Sequence, residues 1–447
     1  MIINEFTTVT FFSYGMCNLN CTYCTIDKNP ALKEVDDLLA ESYENYQEYL
    51  DRIDKYLPNP YQLRRIETWG GEPSYGWDRM IPMIHKLIET KPNFNNFFSS
   101  TNFSYPEWSN NVLRLLDVFA SYPTRKFVID LQFSCDGPAY INDANRGIGV
   151  TKRCFENLEL LLNKLQDKDY QNLELHFYTK PTLNIENIKH LQTKEAIIDY
   201  YQFFDTEFIS RIISKNIPYI QVNSSKPNLA VPTPASIEDG KDFANFNKLC
   251  EELEKEADKY FTYYRDLVLF KGQGQLRMCV RGSDVAQCGT GLLMLCLLPH
   301  NLYCTCYMTF ADMCDNYKKF KKEHPEKTIN IKGFLEQSMP KGVMTEEKYD
   351  EFIQHMHDQN GTVGMARLNR IISDIIVLSR AGQIDAKYQR PSKAFVAAEY
   401  IANTFSYCIT DNIASTGSML ASDLGTYKEI LNGSEKYLYE MNEEDNS

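Results

Sequence analysis

Cys17, Cys21 and Cys24 fall within eight residues, in the pattern Cys-x3-Cys-x2-Cys, with the aromatic Tyr23 just before the last. Three thiolates on one tight loop can hold three irons of a [4Fe–4S] cluster and leave the fourth iron open to a substrate or cofactor. A structural zinc site fits less well: it takes four ligands, and no histidine occurs before His85. Six more cysteines lie between Cys279 and Cys314, too dense a group for buried apolar cysteines alone. Cys135, Cys154, Cys250 and Cys408 stand apart; Cys154 and Cys250 read as small buried apolar residues. The seven histidines include no HExxH motif, so a zinc hydrolase site of that kind has no support.

The elements that must position the first cysteine loop alternate strand-like and helix-like. Strands are expected at Phe6 to Ser13, Arg65 to Trp69, Asn96 to Thr101, Lys126 to Ser134, Leu173 to Tyr178 and Ile217 to Val222. Helical patterns fall between them, at about Val35 to Lys55, Met80 to Thr90, Asn110 to Ser121, Cys154 to Leu165 and Glu195 to Ser214. About six β/α units argue for a parallel sheet with crossover helices, curled into a complete or partial barrel. The cysteine loop directly follows the first strand, at the end of the sheet where β/α folds place active sites. Asn223 to Asp239, with three prolines and several serines, reads as a linker, and helix resumes near Phe243 to Leu269. From about Lys332 the chain is mainly helical.

Here the sequence resembles the radical S-adenosylmethionine (SAM) superfamily, whose hallmark is this CxxxCxΦC loop after the first strand; the resemblance covers roughly residues 5–225. Trp69-Gly70-Gly71-Glu72-Pro73 resembles the family's GGE motif, in which backbone and carboxylate receive the amino group of SAM. Two glycines permit close backbone approach, and an acid suits an ammonium. Ser100-Thr101-Asn102 resembles the S/T-N element after strand three. Phe133-Ser134-Cys135-Asp136-Gly137-Pro138, followed by Asn142-Asp143-x-x-Arg146, resembles the SxDGP…HDxxR segment of the sulfatase-maturase and peptide-modifying branch, with Asn142 in place of histidine. The resemblance implies that Ser134 meets the SAM ribose and Arg146 its carboxylate, so Gly70, Gly71, Glu72, Thr101, Asn102, Ser134 and Arg146 are the expected cofactor-binding set.

The later cysteines resemble the auxiliary-cluster region of the same branch. Cys288-Gly289-Thr290-Gly291, then twelve residues from Cys288 to Asn301 and four more to Cys306, tracks the family's C-x(9–15)-G-x(4)-C signature. Pro299-His300-Asn301 stands where PDG is usual, and asparagine tolerates the left-handed backbone that glycine would supply. No CxxC follows, so the region looks like the shorter twitch version of the SPASM module, with one auxiliary [4Fe–4S] cluster. Cys279, Cys288, Cys306 and Cys314 are the ligands this implies, with Cys408 or Cys304 as alternatives for the fourth. Cys296, flanked by leucines, reads as core. The implied fold is a partial (β/α)6-type radical SAM barrel over 1–230, a linker and helix over 231–275, the twitch/SPASM-like auxiliary region over 276–320 and a helical extension over 321–447.

Composition limits the partners. The chain has 447 residues and a net charge of −13, from 47 basic against 60 acidic residues, so nucleic acid is not an expected bulk partner. With 43% apolar residues it is neither disordered nor collagen-like. No apolar run approaches a membrane span and no secretion signal is visible, so a cytoplasmic enzyme is expected. The lysine-rich stretch Lys318 to Lys332 reads as a solvated face or a contact for an acidic partner. Three functions compete. One is oxidation or cross-linking of a peptide or protein side chain; another is dehydrogenation or rearrangement of a small molecule such as a sugar or aminocyclitol. The third is a non-catalytic iron–sulfur redox sensor. The two enzymatic readings are oxidoreductases that need SAM, two clusters and an electron donor such as flavodoxin or ferredoxin. Strand one begins near residue 6, which leaves no room for the N-terminal domain with which many such maturases recognise a leader peptide.

Overall fold

The computed structural model describes residues 6–24, 31–224, 228–229, 237–262, 294–304, 308–337 and 343–359. In chain order the strands are β1 (Thr8–Tyr14), β2 (Arg65–Gly70), β3 (Asn96–Thr101), β4 (Phe127–Phe133), β5 (Leu173–Thr179), β6 (Thr182–Leu183), β7 (Ile220–Ser224), β8 (Asn228–Leu229), β9 (Met294–Leu297), β10 (Tyr303–Cys304) and β11 (Val343–Met344). The helices are α1 (Ala31–Glu44), α2 (Gln47–Tyr56), α3 (Trp77–Thr90), α4 (Trp108–Ala120), α5 (Ala139–Arg146), α6 (Val150–Gln166), α7 (Ile185–Lys189), α8 (Lys194–Phe203), α9 (Arg211–Ile213), α10 (Ile237–Glu254), α11 (Met308–Glu323), α12 (Ile331–Gln337) and α13 (Glu346–Gln359). Two compact units result: residues 1–180, 206–225 and 289–354 form one, and the rest the other.

The first unit is built on a mixed, mostly parallel sheet in the order β11-β10-β9-β1-β2-β3-β4-β5-β7. β1, β2, β3, β4, β5 and β7 are parallel neighbours, each crossover carrying helix, as the six expected strands required. The order ends at β7 and β11 with no ladder joining them among the described residues, so of the complete and partial barrels considered the complete one is not found there.

Side-chain alternation gives this sheet two different faces. Ile66, Phe97, Ile129 and Leu175 are in register across β2 to β5 and wholly buried. One residue along, Glu67, Phe98, Asp130 and His176 form the facing layer, three of them ionisable. The apolar layer accounts for the stability of the sheet, and the polar layer is available for chemistry.

On the other side of β1 the sheet continues through a feature absent from the expected strand list. β9 runs parallel to β1 and turns back into β10, pairing Cys296 with Cys304. The turn is Pro299-His300-Asn301-Leu302, with φ 55° at His300 and 54° at Asn301 and a Leu302 N–H to Pro299 carbonyl bond of 3.3 Å. Positive φ at both central residues is the hairpin geometry that asparagine tolerates, which bears out the reading of Asn301. Cys296 and Cys304 are fully buried in a cluster with Phe12, Leu39, Leu298 and Tyr317. Cys296 is core, as expected; Cys304, considered above as a cluster ligand, packs in the same apolar environment.

In the second unit β6 and β8 pair in parallel, and α10 packs on α7 and α8. Asn184 and Thr193 cap α7 and α8 by accepting the Asn187 and Ala196 N–H groups at 2.9 and 3.2 Å. Ile197, Tyr201, Phe246, Cys250 and Phe261 are buried there, so Cys250 is core. Among the described residues no helix is long and apolar enough to cross a membrane.

Candidate iron–sulfur and cofactor site

The cysteine loop leaves the carboxyl end of β1 and is held from three sides. The first is the end of β2. Gly71 N–H donates to the Tyr14 carbonyl at 2.9 Å and Glu72 N–H to the Met16 carbonyl at 2.8 Å. A Cβ on Gly70 would stand 2.1 Å from Tyr14 O, and one on Gly71 2.2 Å from Met16 O and 2.9 Å from Cys17 N. Gly70 also has φ 138°, a conformation other residues rarely adopt. Both glycines are therefore needed to bring this turn against the cysteine loop itself, not only against a ligand.

The second side is the end of β3, reached through Glu72. Its side chain is 1% exposed. Oε1 accepts the Thr101 hydroxyl at 2.6 Å, the Ser74 N–H at 3.3 Å and the Ser74 hydroxyl, while Oε2 accepts the Asn102 N–H at 2.8 Å. Burial pushes the carboxyl pKa up, against the lowering effect of these bonds. The resemblance assigns Glu72 to the amino group of SAM; in the structure its oxygens tie the end of β2 to the end of β3. Asn102 then reaches the loop: its Nδ2 lies 3.6 Å from Cys17 Sγ and 2.9 Å from Asn18 Oδ1. The next residue, Phe103, has φ 59° and is wholly buried, stacked on Trp108 and Phe133 at 3.8 and 4.4 Å. A bulky residue at positive φ is a strained turn, held by those rings, and no sequence pattern announces it.

The third side is α5 and the turn before it. Arg146 pairs with Asp136 through Nη2–Oδ1 at 2.8 Å and Nε–Oδ2 at 3.0 Å, both side chains buried. Tyr23, from the cysteine loop, donates its hydroxyl to the same carboxylate at 2.6 Å, and Asn145 adds a bond at 3.1 Å. Thr22 N–H donates to the Asn145 carbonyl at 2.8 Å, and Arg146 Nη1 lies 3.9 Å from Cys21 Sγ. Arg146 is thus beside the loop, but two of its nitrogens are committed to Asp136, a partner the sequence reading did not give it. Asn142 fills the histidine position by accepting the Asp136 N–H and donating to Thr151, each at 2.9 Å. Ser134 shares a 3.2 Å hydroxyl contact with Ser100. Lone Cys154 is buried, its thiol donating to the Asn102 carbonyl at 2.9 Å.

Cys17 and Cys21 are half-buried and Cys24 exposed. Burial foremost, then Glu72 and the other two thiols, push the Cys17 pKa up to about 12, against a 3.4 Å bond from Leu19 N–H. No three His, Cys, Asp or Glu side chains among the described residues are gathered at metal-ligating distance. The donor chemistry nonetheless fits a cluster: three thiols sit on one loop, with N–H donors aimed at Cys17 sulfur and a guanidinium beside Cys21. Such donors stabilise thiolates carrying negative charge. Cys279, Cys288, Cys306 and Cys408 lie outside the described residues; Cys314 falls on α11, its side chain outside them too.

No family model matches the chain, and no curated protein does. Similar solved structures include two titled anSMEcpe with bound AdoMet. The native form is 16% identical, covering 67% of this chain and 74% of that one, with a TM-score of 0.38. The histidine-tagged form is 13% identical, covering 98% and 96%, with a TM-score of 0.40. Likeness of that degree fixes neither activity nor site, which rest here on the residues of the chain.

Proposed function

We propose that this chain is a radical SAM enzyme that oxidises or cross-links a peptide or protein side chain. One observation carries the class: three separated motifs converge on the Cys17–Cys24 loop, through Gly71 and Glu72, through Asn102, and through Arg146. Convergence of residues so distant in sequence on a loop of three thiols supports the reading that the loop holds a cluster. Cys17, Cys21 and Cys24 would hold a [4Fe–4S] cluster, and the turn at Gly70-Gly71, with Thr101, Asn102, Ser134 and Arg146, would bound the SAM site. A cluster held by these three cysteines would supply the electron for reductive cleavage of SAM, the source of a radical able to take a substrate hydrogen.

The protein's own part is positional. Asn102 Nδ2 and Leu19 N–H face the Cys17 sulfur and favour its thiolate; the Asp136–Arg146 pair clamps Tyr23 and orients the second half of the loop. Cys279, Cys288, Cys306 and Cys314 would hold an auxiliary cluster able to accept an electron from the product radical. The peptide assignment rests on the Ser134–Arg146 segment, and a flavodoxin- or ferredoxin-type protein would supply electrons. Reconstitution without oxygen, followed by chromatography for 5′-deoxyadenosine after adding SAM and dithionite, tests the class. Genes adjacent to this one, encoding a short precursor peptide or a sugar pathway, would separate the peptide reading from the small-molecule one.

A further inference from the structure

On the polar face of the sheet nearly every charge is already matched. Glu67 meets Arg65 Nε at 2.8 Å and the Trp69 indole N–H at 3.2 Å. Asp130 meets Arg65, Asn96 and His176 at 3.1, 2.9 and 3.0 Å. His176 Nε2 lies 3.0 Å from Glu174 Oε1, an ionic contact whose angle falls short of a hydrogen bond. Both Arg65 and His176 are thus held between two carboxylates.

Lys180 is the exception. It follows His176 and Tyr178 by the two-residue repeat of β5 and, its N–H bonded to the Phe133 carbonyl at 3.1 Å, continues that ladder past the strand end. Its side chain is half-buried, and among the described residues its ammonium has no hydrogen bond or ion pair; the nearest influence is Glu67, already held by Arg65. Burial lowers its pKa, the mark of an ammonium short of solvent. Tyr178, two residues before it, belongs to an aromatic row: Trp69 and Phe98 lie 5.5 Å apart and Phe98 stacks with Tyr178 at 6.1 Å, with Trp69 and Tyr178 partly exposed.

We infer that Lys180 anchors a carboxylate of the substrate, whose apolar or aromatic body lies against Trp69 and Tyr178. Where the neighbouring charges of the face are already paired, an ammonium with no protein anion is open to a carboxylate, which supplies a charge-assisted hydrogen bond. The inference rests on the proposed function for the ligand's being the substrate, but the site itself is read from the sheet alone. Two sources share this chemistry: a small organic acid, and the free end or acidic side chain of a peptide.

Trp69 provides the readout, because Trp77 and Trp108 are wholly buried. The reconstituted full-length protein is titrated with phenylacetate and with its neutral counterpart phenylacetamide, following tryptophan fluorescence. Phenylacetate is expected to quench saturably, with phenylacetamide at least about tenfold weaker, as the loss of one charge-assisted bond implies. Lys180→Met should remove that preference and Lys180→Arg retain it, with SAM affinity unchanged in both. Tighter binding of acetyl-Gly-Phe with a free carboxyl end than of phenylacetate would assign the anion to a peptide; the reverse order would assign it to a small acid. No saturable quenching in the wild type, equal affinity for acid and amide, or a preference surviving in a folded Lys180→Met protein would overturn the inference. Failure of the wild type to bind SAM would count against the proposed function instead.

Discussion

Glu72 accepts the backbone N–H of Asn102 at 2.8 Å, and the Asn102 side chain in turn reaches Cys17 Sγ. A carboxylate just past β2 thereby fixes the residue just past β3 that faces the cysteine loop. Glu72→Ala should cost about 2–4 kcal/mol, because buried donors from Ser74, Thr101 and Asn102 would lose a charged acceptor. Glu72→Gln should cost less, since it keeps one acceptor oxygen. Urea melts followed by circular dichroism measure both. A stable Glu72→Ala protein that has lost only SAM affinity would mean the carboxylate faces the cofactor after all.

The Asp136–Arg146 pair gives a second expectation. Removing one partner of a buried ion pair strands the other, at about 3–5 kcal/mol, whereas replacing both with apolar residues is far milder. Asp136→Leu alone should therefore destabilise more than Asp136→Leu with Arg146→Met. A double-mutant cycle in denaturant checks this, and additive losses would argue against the pairing.

How much of this was legible in the sequence divides along physical lines. The parallel strands β1 to β5 and β7 could be read, because β-branched and aromatic runs such as Thr8–Tyr14 end at strong breakers such as Gly15. The cysteine loop was legible because its spacing is itself the chemistry. The Asp136–Arg146 pair was not, since Asp-Gly reads locally as a turn and its partner is ten residues away on an unrecognised helix, α5. The β9–β10 hairpin was hidden in a segment read for its cysteines, and only Asn301 hinted at the turn. Lys180 carries no local signal at all; its isolation is visible only when the acids of neighbouring strands are seen to be spoken for.

Stability should depend on pH through His176. The hydrogen bond to Asp130 foremost, with Glu174 adding and burial opposing, raises the imidazole pKa. Stabilisation from this group is full below the unfolded value of about 6.5 and is lost as pH rises through the raised folded value. For Asp130, burial is outweighed by bonds from His176 and Asn96 and the Arg65 charge, leaving its pKa lowered, so its contribution fades only as pH falls below about 3.9. The melting temperature should fall as pH rises above about 6.5 in the wild type and fall less in His176→Gln. Parallel curves would reject the coupling.

Iron content tests the two cysteine groups separately. Wild-type protein reconstituted without oxygen should hold about eight irons, and the Cys17→Ala/Cys21→Ala/Cys24→Ala protein about four. A wild-type content near four would remove Cys279, Cys288, Cys306 and Cys314 as ligands. Substituting Cys288 and Cys306 should leave uncoupled SAM cleavage intact while turnover of the true substrate collapses, with a melting curve to exclude misfolding.

The most direct measurement is the release of 5′-deoxyadenosine by the reconstituted, iron-loaded protein given SAM and dithionite. Slow release without substrate, matched by methionine and abolished by Cys17→Ala, is the expected result. Iron-loaded protein that binds SAM yet releases no 5′-deoxyadenosine, or releases it equally well with Cys17, Cys21 and Cys24 all replaced, would contradict the assignment of this loop to radical SAM chemistry.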